Sequence, residues 1–310
     1  MTPISFSSGN LIADRRADYA EALLVSGDAV AATDLYLQAL EIAPRWTAGW
    51  FRLGQIRQDH HLPDATVAFE RALALDPADM LGARLALDLL ADPTRAETMP
   101  SAFVEALFDQ YADHFDAKLM GALAYRGPQL LRAGLTGHYG RVLDLGCGTG
   151  LMGMELRAIA GDLEGWDISA EMLREAGAKA VYDRLAKVDL ARLSGTDRHW
   201  DLITAADVFA YVGALDRIVG WVALALAPGG TFAFTVESCT GDDFVLRDSR
   251  RYAHSQVYLR RLLDRAGFVA TFDSATVRLD RGAPIAGLTV FARPAVWAGG
   301  RAPEDDLARV

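Results

Sequence analysis

The residues with the clearest capacity for chemistry form the run Val142-Leu143-Asp144-Leu145-Gly146-Cys147-Gly148-Thr149-Gly150. An apolar strand leads straight into three glycines at alternate positions, and a helix pattern follows. Glycine lets the backbone approach a bound ligand where a Cβ would collide. Two ligand types are disfavoured. The dinucleotide fingerprint would need a glycine where Leu151 stands, and no Gly-Lys-Ser/Thr follows to make a phosphate loop. Asp144, two residues before the first glycine, would repel a phosphate and suits a ligand carrying an ammonium group. Asp167 ends the next apolar run, 21 residues after Gly146, where an acid can accept from both hydroxyls of a ribose. Lys187-Val188-Asp189-Leu190 closes a third run, and Asp207 closes a fourth that begins at Trp200. Carboxyl ends of parallel strands are where open α/β sheets bind ligands.

These residues need a sheet to hold them. From Arg141 onward, short apolar runs alternate with helical stretches, which implies parallel strands with helices on both faces. The pattern predicts strands near 141–146, 163–168, 184–189, 201–206, 231–237, 268–278 and 285–292, and helices near 149–160, 170–180, 214–226 and 254–266. Only Asp280-Arg281-Gly282 joins the last two strands, so they must run antiparallel.

This order of motifs resembles the class I, Rossmann-like S-adenosylmethionine-dependent methyltransferases over residues 101–293. The first motif of that family reads (Asp/Glu)-x-Gly-x-Gly-x-Gly, as residues 144–150 do here, and the turn Ala227-Pro228-Gly229-Gly230 before the fifth strand is also common in it. The resemblance implies a seven-stranded α/β sheet with its last strand antiparallel. It implies S-adenosyl-L-methionine as cofactor, with S-adenosyl-L-homocysteine as product. Asp144, Gly146, Cys147, Gly148, Gly150 and Asp167 become cofactor-binding residues. Ile168 and Met172 would flank the adenine, Asp189 with Leu190 would meet its edge, and Ala205 with Ala206 would wall the sulfonium region. Tyr111 and Phe115, one helical turn apart, would belong to an aromatic helix closing over the cofactor, the tyrosine near its carboxylate.

Methyl transfer from a sulfonium is an in-line displacement, which needs an aligned and dehydrated acceptor. A hydroxyl or amine acceptor also needs a base, and Asp207, His254 and Tyr211 are the candidates. Arg250 and Arg251, in the segment where such enzymes grip small substrates, could bind an anionic acceptor bidentately. No metal is expected.

Before residue 93 the chain reads as helices. Pro44 and Pro77 stand 33 residues apart, each preceded by an aromatic, an alanine three later and the proline five beyond it. With Trp50-x-x-Leu53-Gly54 and Ala65-x-x-x-Phe69-x-x-Ala72, this resembles tetratricopeptide repeats: two copies and a further helix over 78–90. Arg57 stands where a tyrosine is usual, and the first copy lacks the Trp and Gly. The expected division is a helical domain at 1–92, a linker at 93–100, the methyltransferase domain at 101–295 and a tail at 296–310. Every cofactor signal follows residue 100, so the repeats are expected to serve protein partners, self-association or support rather than the chemistry.

Composition bounds the alternatives. The chain has 310 residues and a formal net charge of −10, which disfavours nucleic acid as a partner. Two cysteines do not make a disulfide framework, and the longest apolar run, Trp221–Ala227, is far short of the roughly 20 residues that span a bilayer. A cytoplasmic enzyme acting on a small molecule is the expectation. A protein-interaction adaptor retaining a cofactor module, and an NAD-dependent oxidoreductase, are the competing readings.

Overall fold

The computed structural model describes residues 7–92, 97–112, 115–117, 119, 121, 123–241, 243–280 and 282–295. The expected tail at 296–310 and half of the expected linker, 93–96, lie outside them.

Five helices come first: α1 (Leu11–Val25), α2 (Ala29–Ile42), α3 (Thr47–Asp59), α4 (Ala65–Leu75) and α5 (Ala83–Ala91). Polar caps start two of them. Asn10 Oδ1 accepts from the Ile12 amide at 2.9 Å, and Asp28 from the Ala31 amide at 3.0 Å. Each helix packs on the next. Small residues allow the close approach: a Cβ on Gly54 would lie 2.6 Å from the Phe69 ring. The fifth helix starts at Ala83, not 78. Asp79 takes the Ala83 and Arg84 amides at 2.6 and 2.9 Å, so the chain turns before the helix begins. No helix of the described residues is long and apolar enough to cross a membrane.

Residues 97–99 do not form a free connector. Glu97 O accepts from Gly213 and Ala214 at 3.1 and 2.9 Å, and Thr98 bridges Val212. Then follow α6 (Ser101–Tyr111), the single turn α7 (Phe115–Ala117) and α8 (Gly127–Gly134).

The sheet is mixed. Strands β1 (Tyr139–Leu145), β2 (Ala160–Asp167), β3 (Arg184–Lys187), β4 (Trp200–Ala205) and β5 (Leu226–Cys239) run parallel in the order β3-β2-β1-β4-β5. Beyond β5 lies β9 (Ala283–Pro294), antiparallel to it, with β8 (Phe268–Asp280) outermost. Those seven strands and the antiparallel last one match the expected arrangement. Helices α9 (Leu151–Leu156), α10 (Ala170–Ala178), α11 (Asp216–Ala225) and α12 (Gln256–Arg265) make the crossovers. The central strands are nearly continuously buried, as parallel strands covered on both faces must be, and Trp166, Trp200 and Trp221 pack together against one face.

Two further strands depart from the expected pattern. β6 (Phe244–Leu246) and β7 (Tyr252–Ser255) form a hairpin, and β7 pairs in parallel with Glu237–Cys239, past the point where β4 ends. His254 and Ser255 therefore lie in a strand, and the last helix begins at Gln256, capped by Ser255 Oγ on the Tyr258 amide at 3.0 Å.

Candidate active site

Above the carboxyl ends of β1, β2 and β4 lies a cavity of about 400 Å³, within the size range of small-molecule sites. Its floor is the glycine turn. Gly146, Gly148 and Gly150 all have positive φ, at +61°, +53° and +94°. A Cβ on Gly146 would collide with Val208, whereas one on Gly148 would meet no atom within 4 Å and would project into open space. Gly146, Cys147, Gly148 and Thr149 line the cavity, and Gly150 instead packs beneath it against α10 and Tyr182.

Asp167 is buried at the end of β2 and lines the cavity. Its Oδ2 accepts the Gly148 amide and its Oδ1 the Ser169 amide, both at 2.8 Å, so the carboxylate holds the glycine turn against the neighbouring strand. Burial raises its pKa, and the backbone donors only partly oppose this. Ile168, Val188, Leu190 and Val208 border the cavity around it, with Asp189, which caps its own turn by accepting the Ala191 amide at 2.9 Å.

Four expected cofactor contacts sit elsewhere. Asp144 is 1% exposed and off the cavity wall, and its oxygens are taken by Tyr182 Oη at 2.7 Å and Thr204 Oγ1 at 2.9 Å. Burial pushes its pKa to about 7. In the structure it is held as an internal strut between β1, Tyr182 and β4. Met172 is fully buried on the inner face of α10, Gly150 packs against Tyr182 and Ala176 off the cavity wall, and Ala205 is buried in β4. The next residue, Ala206, borders the cavity.

The roof is α6 with α7, which contribute Leu107, Phe108, Tyr111 and Phe115. Phe108 packs edge-on to both Tyr211 and Phe115, at 4.9 and 6.0 Å between ring centres. Three carboxylates fasten this roof to the strand ends. Glu105 pairs with Lys187 and Asp109 accepts from Ser169 Oγ, both at 2.5 Å, and Asp116 pairs with Lys179 at 2.8 Å and accepts from Thr149 Oγ1.

The remaining wall is cationic. Arg251 spreads over three acceptors, Glu237 at 2.5 Å, Asp207 at 2.6 Å and Tyr211 Oη at 2.7 Å. Glu237 also receives Arg278 at 2.6 Å and Arg247 at 3.1 Å. Burial pushes Glu237 up, but Arg251 and Arg278 more than offset this, and its pKa ends below the usual range. Asp207 and Arg250 are both held at positive φ, +62° and +57°, and strain of that kind collects at functional sites.

Of the three acid–base candidates, Asp207 and Tyr211 reach the cavity and His254 does not. His254 is completely buried, with Nε2 2.8 Å from Gly213 O, and burial lowers its pKa to about 4. Tyr211 is raised by burial and keeps its proton at neutral pH. Arg250 and Arg251 both border the cavity.

Sequence reasoning missed Arg278, Glu237 and Tyr125. The signal for Arg278 was a charge inside the apolar run Val277-Arg278-Leu279. A register shift in β8 between Thr276 and Arg278 lets both Val277 and Arg278 point inward, which strict alternation would forbid.

Residues 111–271 match the family described as "Methyltransferase domain". The chain is 28% identical over 164 residues to the malonyl-[acyl-carrier protein] O-methyltransferase of Enterobacter lignolyticus, covering 52% of this chain and 64% of that protein. It is 24% identical over 156 residues to a ubiquinone biosynthesis O-methyltransferase of Burkholderia cenocepacia, covering 45% of this chain and 66% of that one. The chain thus spans just under two thirds of the length of these curated relatives. Among solved structures, the Burkholderia thailandensis 1,6-didemethyltoxoflavin-N1-methyltransferase has the same fold, at 20% identity and a TM-score of 0.50 over 63% of this chain and 88% of that one.

Proposed function

We propose, for a chain that belongs to the methyltransferase-domain family and is an S-adenosylmethionine-dependent enzyme, that it methylates an oxygen atom of a small molecule. The observation that carries this reading is the continuity of one cavity from the glycine turn and Asp167 to Asp207, Tyr211 and the arginines. The names of the curated relatives, O-methyltransferases, support oxygen as the receiving atom.

The residues fit the cofactor. The open space over Gly148 is the approach that an adenosyl group needs, and Asp167 keeps lone pairs for a diol beyond the two backbone donors it holds. Ile168, Val188 and Leu190 offer an apolar slot for adenine, closed by Asp189. When bound, S-adenosylmethionine supplies an electrophilic methyl group on a sulfonium.

The protein's part is placement and exclusion of water. The α6–α7 roof with Phe108, Tyr111 and Phe115 would close over the reacting centre, which strengthens every polar contact inside. Tyr211, protonated and held by Arg251, would donate to the acceptor or its neighbour. Asp207 is the one acid–base candidate left on the wall able to take a proton, and the Arg251 contact fixes its orientation.

In this reading the helices at 7–92 are a tetratricopeptide-like unit that supports the enzyme or binds a protein. The packing of each helix on its neighbour in sequence and the Gly54–Phe69 contact support it.

Calorimetric titration of the full chain with S-adenosylmethionine and with NAD is the first test. Binding of S-adenosylmethionine alone is expected, and preference for NAD would overturn the reading. Mass spectrometry of a metabolite panel incubated with enzyme and S-adenosylmethionine then reads the acceptor. A gain of one methyl on an oxygen is expected, and methylation only of nitrogen or carbon would overturn the oxygen assignment.

A further inference from the structure

Tyr125 stands between α7 and α8, and backbone bonds fix it on both sides. Its amide donates to Leu119 O at 3.1 Å, and the Arg126 amide donates to Val277 O of β8 at 3.0 Å. Gly127 opens α8 with room for the phenol, since a Cβ there would lie 2.4 Å from Tyr125 Oη. Just before it, Ala124 is held at φ +43°, a left-handed conformation that is strained for a residue with a Cβ and collects at ligand sites. These contacts leave the ring little freedom.

The side chain is 6% exposed and borders the cavity. Its hydroxyl has no hydrogen-bond partner among the described residues, yet it is not sealed in the interior as the hydroxyl of Tyr252 is. Buried polar groups in folded proteins are nearly always satisfied, so a nearly buried O–H left open on a cavity wall marks a donor for a ligand. Burial, and after it the charge of Asp207, push its pKa well above 10, so it keeps its proton at neutral pH. Tyr211 is less free, because its oxygen already accepts from Arg251 at 2.7 Å.

Asp207 offers the complementary group. Its Oδ1 accepts from Arg251 at 2.6 Å, and its Oδ2 has no partner among the described residues and is likewise open. Four aspartates and three arginines line the cavity, so its charge does not favour an anionic acceptor. Leu107, Phe108, Leu119 and Leu123 add apolar wall.

We propose that Tyr125 and Asp207 bracket the methyl acceptor, an uncharged alcohol or phenol with an apolar body. This rests on the methyltransferase reading above. The Tyr125 O–H donates to the acceptor oxygen, and the acceptor's own O–H donates to Asp207 Oδ2. The remaining lone pair of that oxygen takes the methyl group. Its C–O bond forms as the S–C bond breaks, the electrons of the broken bond stay on sulfur, and the proton passes to Asp207. The products are a methyl ether and S-adenosylhomocysteine.

The test uses the full chain saturated with S-adenosylhomocysteine at neutral pH. Thymol and cinnamyl alcohol are titrated calorimetrically beside cymene and propenylbenzene, the hydrocarbons that lack their hydroxyls, with cinnamate as the anionic probe. At least one hydroxyl compound is expected to bind about tenfold or more tightly than its hydrocarbon, and cinnamate more weakly than cinnamyl alcohol. Tyr125→Phe keeps the ring and should reduce the hydroxyl preference severalfold, as should Asp207→Asn. No hydroxyl preference in the parent protein, tighter binding of cinnamate, or an unchanged preference in Tyr125→Phe overturns the assignment. So does a loss of S-adenosylhomocysteine affinity in Tyr125→Phe, which would put the hydroxyl on the cofactor instead. Should Tyr125→Phe melt well below the parent protein, Asp207→Asn carries the test, and an unchanged preference there overturns the assignment equally. Failure of the parent protein to bind S-adenosylhomocysteine is read before any probe is added, and it would count against the enzyme reading instead.

Discussion

Asp144 and Asp167 end adjacent strands, are both buried, and answer to different partners. Tyr182 and Thr204 hold Asp144 from inside the protein, and burial lifts its pKa to about 7 from 3.8 for a free carboxyl. The folded state therefore binds its proton more tightly than the unfolded chain does. Its contribution to stability is full below about pH 4, declines as pH rises toward 7 and is level above that. Asp144→Asn keeps the shape and cannot ionise, so the urea midpoint should fall less between about pH 5 and pH 8 than in the parent protein. An equal fall in both would show that Asp144 titrates normally. Asp167 has backbone amides on one side and the cavity on the other. Asp167→Ala leaves two amides without acceptors and removes the diol contact, so affinity for S-adenosylmethionine should drop at least about tenfold, roughly 1.4 kcal/mol. Unchanged affinity by titration would move the ribose away from this strand end.

Among the elements, α6 is the one whose fastening matters to binding. Its Lys187–Glu105 pair is exposed and screened by solvent, and such pairs contribute little. The Asp109–Ser169 contact is part-buried beside Asp167 and also reaches the Glu171 amide. Asp109→Ala should therefore weaken S-adenosylhomocysteine binding severalfold, and Lys187→Ala by less. Equal effects in calorimetry would mean that the roof is held by its apolar face alone. Legibility followed the local signals. The parallel strands were readable because each pairs a short apolar run with a ligand-bearing end, as at Leu143–Gly146 and Leu163–Asp167. Asp167, Asp189 and the glycine turn were readable for the same reason. The β6–β7 hairpin was not, since its strands are three and four residues long and the Arg247–Arg251 turn between them reads as loop. Nor was the inward aim of Arg278, which depends on a bulge that no single strand's sequence declares. His254 misled because its residue type suits catalysis, while its neighbours Tyr252, Ala253 and Ser255 are all buried.

At the scale of the whole molecule, the cavity wall takes no residue before Met99 among the described residues. One layer out, the helical unit does take part. Leu85 of α5 shares a buried cluster with Met99, Phe103 and Leu107 under the roof and with Leu246 and Tyr252 of the β6–β7 hairpin. The helical unit is thus braced against both the roof and the hairpin whose turn carries Arg250. Leu85→Ala should destabilise the full chain by about 2–5 kcal/mol, the usual range for emptying a core leucine. A loss under about 1 kcal/mol by urea denaturation would show that the two parts touch without bearing on each other.

That shared cluster also bears on how the molecule breathes. If α5 and α6 open as one cooperative unit, a ligand that must leave before the roof lifts protects both from solvent. Mass action sets the scale: at a hundred times its dissociation constant, a ligand adds about 2.7 kcal/mol to the opening free energy. Backbone amides of Ala83–Ala91, which line no part of the cavity, should then exchange their hydrogens with deuterium about a hundredfold more slowly when S-adenosylhomocysteine is bound. Slowing confined to residues 101–111 would mean that the helices open independently. Slowing that spreads to α5 would make the repeat-like unit a sensor of an occupied active site, and anything that grips those helices would tighten the cofactor in return.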